Sequence, residues 1–166
     1  MLFVITLNMK SAKEIVIDAL ATGKLASIAS SLAIAACGKA ELNNAVAPLN
    51  AISHIAFGEE AARQNEASLK YTATGILLND AACTSWAALH EQLFGRAISK
   101  GNVPVALTGG SIIALAAYVT DYFLVPKRVT PGMEKRLSSR SLFFIYSVLA
   151  MSLAIGSLLN AKRNNG

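Results

Sequence analysis

Residues 71–95 read YTATGILLNDAACTSWAALHEQLFG, and the fold turns on what this stretch is. As a helix it is long and apolar enough to cross a bilayer, whose hydrocarbon core needs about 20 residues. It also carries Asp80, His90 and Glu91, side chains that lipid does not tolerate unless they face a protein interior or a polar cavity. The stretch is therefore a membrane span with polar business inside the protein.

The rest of the chain agrees. Its 166 residues are 54% hydrophobic and only 15% charged, with mean hydropathy +0.47, whereas soluble domains carry about 25% charged residues. We expect an all-α, integral membrane four-helix bundle, a single transmembrane domain over 1–166, with spans near 13–37, 71–95, 103–125 and 141–160. The net charge of +5 is spread between apolar runs. That pattern fits loops beside lipid headgroups and not nucleic-acid binding.

Residues 1–10 are apolar but short and lack the charged start of a signal peptide. They are expected at the interface or as an extension of the first helix. Lys24 followed by an apolar run ending in Ile34-Ala35-Ala36-Cys37 looks like a lipoprotein signal, but we read it as a retained helix. Cys37 and Cys83 have no CxxC or metal-ligand spacing and read as small packing residues.

Three spans carry seams of small residues, where helix backbones approach closely. They are Gly23, Ser27, Ser31 and Ala35 in the first; Gly110, Ala114 and Ala117, ending at Asp121, in the third; and Ser147, Ala150, Ala154 and Ser157 in the fourth. Asp18 and Lys24 are read as headgroup anchors of the first span. Between the first two spans, residues 43–57 are apolar but broken by Asn43, Asn44, Pro48 and Asn50. An interfacial or re-entrant segment fits them, followed by a polar helix from Glu59 to Lys70. The C-terminal KRNNG reads as frayed.

With four spans, both termini share a side with the loop near Lys100. The loop between the last two spans lies opposite and holds Lys127, Arg128, Lys135, Arg136 and Arg140 as headgroup contacts. This dense cluster argues for a cytoplasmic 126–140 loop in a multi-pass inner-membrane protein, with the termini outside.

Asp80 lies about 13 Å inside the second span. A carboxylate there costs about 3 kcal/mol on insertion scales. It is expected to face the bundle interior, either as a functional group or as a neutral acid bonded to Asn79, Thr84 or a first-span serine. Asp121, nearer the interface, can pair with Lys127 or Arg128. Glu91 and His90 are expected as a separate pair near the opposite surface. His54 and His90 are the possible ligands, but haem would need both imidazoles on one cofactor, and the layout puts them at opposite surfaces. His54 with Glu59 and Glu60 is the nearest approach to a metal grouping. No catalytic elbow, phosphate loop or dinucleotide fingerprint occurs, so no catalytic residue, metal or cofactor is assigned.

Asn50-Ala51-Ile52-Ser53-His54 with Gly58, Thr72 to Gly75, Trp86, Asp121-Tyr122, Val125-Pro126-Lys127-Arg128 and Thr130-Pro131-Gly132 resemble a group of small bacterial inner-membrane proteins of no assigned activity. The resemblance, over residues 50–132, implies a polytopic membrane protein and supplies no site. The leading expectation is a non-catalytic accessory or structural subunit, with the lipid bilayer and other membrane subunits as partners. The alternatives are a small ion- or proton-coupled transporter using Asp80, and a haem or metal redox protein through His54 or His90.

Overall fold

The structure, a computed structural model, describes residues 10–166; the expectation for residues 1–9 lies outside them. The described residues form helices and turns without a strand. Helix α1 spans Ala12–Leu42, α2 Ala47–Ile52, α3 His54–Phe57, α4 Thr74–Ile98, α5 Val103–Val119 and α6 Ser139–Asn165. The four long helices run alternately up and down. Helix α1 packs on α4 and α6, and α5 packs on the same two from the other side.

Local chemistry sets the helix ends. Ser11 and Glu14 form a capping box on α1: the Glu14 amide donates to Ser11 Oγ at 3.3 Å, and the Ser11 amide to Glu14 Oε2 at 2.8 Å. Asn102 caps α5 through the Val105 amide, and Pro104 occupies the first turn, where its missing N–H costs nothing. Ser138 caps α6 through the Ser141 amide.

Three helices are long and apolar enough to cross a membrane: Ala12–Leu42, Val103–Leu124 and Ser139–Asn165. Helix α4 is not among them. The bundle exposes many large apolar side chains in addition to its buried core, which points to a membrane protein. Large apolar side chains face outward, including Leu32, Leu77, Leu115 and Phe143 on α1, α4, α5 and α6. The interior is lined by Ala19, Ala26, Ala33, Ala87, Ala106, Ala117 and Ala154, all buried.

Two glycines of the expected seams stand at close helix contacts. Gly23 meets the backbone of Thr84, and Gly110 lies against the Ala150 carbonyl. A Cβ at either place would overlap backbone, so helix separation is set there by glycine. Ser27 and Ala114 are buried, and Ser31 bonds Asn79 at 3.0 Å. Ser147 turns back on its own helix, donating to the Phe143 carbonyl at 2.8 Å.

Residues 43–57 form two short helices, and every residue of α2 is buried. Asn44 Oδ1 accepts from the amides of Val46 and Ala47 at the start of α2. The polar helix expected from Glu59 to Lys70 is absent. In its place are a short 3₁₀ turn at Ala61–Arg63, extended chain, and a π-helical turn at Leu69–Ala73. The reason is Asn50, fully buried, whose Nδ2 donates to the carbonyls of Gln64 and Glu66 at 3.1 and 3.0 Å. Those carbonyls are drawn onto a side chain and away from an i→i+4 ladder. The C-terminal tail, expected to fray, stays helical to Asn165, because Arg163 and Asn164 bond Asp18.

Candidate functional site

Polar groups gather in two places. The first is at the end of the bundle that holds Lys10 and the C-terminal turn of α6. Lys10 Nζ donates to Asp18 Oδ2 at 2.8 Å and to Glu91 Oε2 at 2.7 Å. Glu91 Oε1 accepts from Ser157 Oγ at 2.5 Å and from Thr22 Oγ1 at 3.3 Å. Asp18 Oδ1 accepts from Arg163 at 2.8 Å. Asn160 Nδ2 bridges Thr22 Oγ1 at 2.9 Å and the Asp18 carbonyl at 3.0 Å. The Glu91 and His90 side chains have no exposed surface.

Two cations meet two carboxylates, so the cluster is neutral overall. Burial pulls the Lys10 ammonium down, but its hydrogen bonds to Asp18 and Glu91 outweigh this and leave it above the ordinary lysine value. His90 Nδ1 lies 3.0 Å from Ser157 Oγ. Serine, histidine and a carboxylate are thus in contact, but the serine stands between the other two. A nucleophilic triad needs the imidazole in that middle place. The cluster joins α1, α4 and α6.

This corrects the expectation that His90 and Glu91 form a surface pair. Adjacent helical residues point about 100° apart, but here both directions are covered. Glu91 faces α1 and α6, while the ring of His90 faces Gly109 of α5. Asp18 is likewise a buried member of the network and not a headgroup anchor.

Asp80 differs from expectation too. It lies on the outer seam between α1 and α4, bonded to Lys24 Nζ at 2.7 Å, with a quarter of its side chain exposed. Its neighbour Asn79 turns inward instead, donating to Ser30 Oγ at 2.9 Å and Ser31 Oγ at 3.0 Å.

The opposite end of the bundle is closed by loops. His54 is fully buried, its Nε2 2.8 Å from the Thr130 carbonyl and its own carbonyl bonded by Arg128. Gly132, at φ +88°, packs on the Ala51 carbonyl and the His54 ring. Lys135 bonds Glu59 and holds its carboxyl below the ordinary range. Arg136 bonds the Ala62 carbonyl and Asn65. Three of the five basic residues expected at headgroups therefore tie the two loops together, while Lys127 and Arg140 are exposed. Ser139 to Ser157 is about 27 Å of helical rise. His54, held by the loop that precedes α6, and His90, beside Ser157, are not brought together. Among the described residues no group of three or more His, Cys, Asp or Glu is placed to hold a metal.

The second polar place is a cavity of about 150 Å³ beneath those loops, between α1, α4, α6 and the end of α5. Asn79, Cys83, Trp86, Asp121 and Tyr146 line it, and Ile52, Pro131 and Met133 cap it. Asp121 lies in a π-helical turn, Thr120–Leu124, that extends α5; such turns are frequent at functional sites. Its Oδ2 accepts from Tyr146 Oη at 2.5 Å. The expected partners Lys127 and Arg128 do not reach it, because Arg128 is drawn to His54.

Neither the cavity nor the buried cluster announces itself in the spacing. Helical spacing does put Asp80, Thr84, Ala87 and Glu91 on one face of α4, which turns toward α1, and Asn79 and Cys83 on the neighbouring face, which lines the cavity. Comparison of the chain with protein-family models, with curated proteins and with solved structures found no match.

Proposed function

We propose that the protein is a four-span inner-membrane protein serving as a non-catalytic accessory or structural subunit of a larger membrane complex. One observation carries this reading: the charges of the buried cluster are matched to one another. Lys10, Asp18, Glu91 and Arg163 pair two positive with two negative charges. A bundle that neutralises its own interior and presents large apolar side chains outward is suited to packing in lipid and against other helices.

Helix α4 is the fourth span in this reading. Its 25 residues rise about 37 Å, and its costliest groups, His90 and Glu91, are covered by neighbouring helices. The basic loop faces the cytoplasm. The role requires no cofactor. A transport role through Asp80 draws no support from the geometry, because Lys24 closes that carboxylate on the outer seam.

The test is purification from native membranes in mild detergent, with mass measurement by light scattering and identification of co-eluting chains. A stoichiometric membrane partner is expected. A homogeneous monomer in its detergent belt overturns the proposal.

A further inference from the structure

Besides Glu14 and Glu41, which are exposed near the two ends of α1, four carboxylates belong to the helical walls of the bundle: Asp18, Asp80, Glu91 and Asp121. Of these four, the first three each have a lysine or arginine nitrogen within 2.8 Å. Asp121 has none within 4 Å among the described residues, and its recorded partner is the neutral hydroxyl of Tyr146. It is also the one of the four that lines the 150 Å³ cavity. A carboxylate in apolar surroundings is costly until a counter-charge arrives.

The cavity has room for that counter-charge. A space of about 150 Å³ accepts a guest the size of benzene. Trp86 and Tyr146 are among its lining residues, and an aromatic ring attracts a cation within about 6 Å of its centre. Tyr146 is itself held by Tyr118 and Tyr122, with ring centres at 5.3 and 6.0 Å. The rest of the lining is chiefly aliphatic, including Ile52, Leu78, Ile145 and Leu149. One acid, two aromatic side chains and a chiefly aliphatic lining suit a compact organic cation better than a hydrated metal ion, which would want several oxygen ligands.

We propose that this cavity binds a small organic ammonium ion, with its charge against Asp121 and its alkyl groups against Trp86 and Tyr146. The ammonium can come from a free solute or from a lipid headgroup. The proposal is independent of the accessory role.

Trp86 is the only tryptophan of the chain, so its fluorescence reports the cavity directly. The full-length protein is placed in phosphatidylglycerol nanodiscs and titrated with choline, then with 3,3-dimethylbutanol, its uncharged isostere. A second sample is placed in phosphatidylcholine nanodiscs without added ligand. The expected result is a saturable change of Trp86 emission with choline, weaker by about tenfold or more with the alcohol. The same change in phosphatidylcholine alone, with no response to free choline, assigns the ammonium to a headgroup. Asp121→Asn, which keeps the Tyr146 contact, abolishes the preference for charge. Ala82→Phe, at the half-open rim, blocks both ligands. The proposal is overturned by no saturable change in either lipid, by equal binding of the isostere, or by an unchanged preference in a folded Asp121→Asn variant. The comparison of choline with its isostere stands on the unmutated protein even if that variant misfolds.

Discussion

Lys10 Nζ lies 2.7 Å from Glu91 Oε2, joining the start of α1 to the end of α4. Both groups are buried, so the worth of the pair depends on what is left when one partner goes. Breaking a buried pair strands a charge, at a cost of about 3–5 kcal/mol, whereas the net value of the intact pair is small. Glu91→Ala leaves Lys10 with Asp18 alone and removes the acceptor of Ser157 and Thr22. Its unfolding free energy in detergent should fall by that amount, read by circular dichroism. Glu91→Gln keeps the acceptor and should cost less. A double variant, Lys10→Met with Glu91→Leu, should recover much of the loss.

The same pair predicts a flat response to pH. The folded-state pKa of Lys10 is raised, so its contribution is complete below the ordinary lysine value, about 10.4. It is lost only as pH rises through the higher folded value. Comparing unmutated protein with Lys10→Met from about pH 6 to about pH 9 should therefore give a constant difference in stability. A difference that shrinks within that window would mean the ammonium is not held as described.

Asn50 offers a local test. Its two donor bonds to the carbonyls of Gln64 and Glu66, and its acceptance from Thr72 at 2.6 Å, pin the connection between α3 and α4. Asn50→Ala leaves three polar groups without that partner, at about 1–3 kcal/mol for a group that stays buried. The connection should loosen before the bundle does. Limited proteolysis should cut within residues 59–68 at a rate well above that of the unmutated protein, with the helical content unchanged.

The all-helical class and the glycines at close helix contacts were legible because they rest on composition and on spacing within one helix. Gly23, Ser27 and Gly110 do stand where backbones approach. The polar interior was not legible, because its partners are far apart in sequence. Asp80 read as an interior carboxylate because its cost at mid-membrane is high, but Lys24, on the adjacent helix, meets that cost on the outside. Glu91 read as a surface group because it is near the end of its span. Nothing in the order of residues shows that Lys10, Ser157 and Asn160 converge on it. The Glu59–Lys70 segment had helical composition, and one buried asparagine took its carbonyls.

The membrane crossing of α4 separates three spans from four. If α4 crosses, the turn at 99–102 lies on the side of the C-terminus, opposite the loop at 126–138. Single cysteines at Lys100, Lys127 and Asn164, in a background where Cys37 and Cys83 are serine, can be probed in intact cells with a membrane-impermeant thiol reagent. Lys100→Cys and Asn164→Cys should label together, and Lys127→Cys should be protected. Labelling of Lys100→Cys in the same class as Lys127→Cys would remove α4 from the set of spans.

The α5–α6 contact gives the sharpest structural prediction, because it rests on one missing methyl group. A Cβ at Gly110 would overlap the Ala150 carbonyl, which is backbone and has no rotamer to escape through. The helices would have to part at the place where Ala114 and Ala117 are buried. Overpacking of a tight core costs about 1–3 kcal/mol, and Gly110→Val should lie at the top of that range or beyond. Gly101→Ala makes a matched control: nothing lies within 4 Å of its Cβ position, so its cost comes only from its φ of +74°. Parting α5 from α6 also moves Asp121 away from Tyr146, so Gly110→Val should weaken any ligand response of Trp86 while Gly101→Ala leaves it intact. Equal stability of the two variants would show that the close α5–α6 approach is not present in the folded protein.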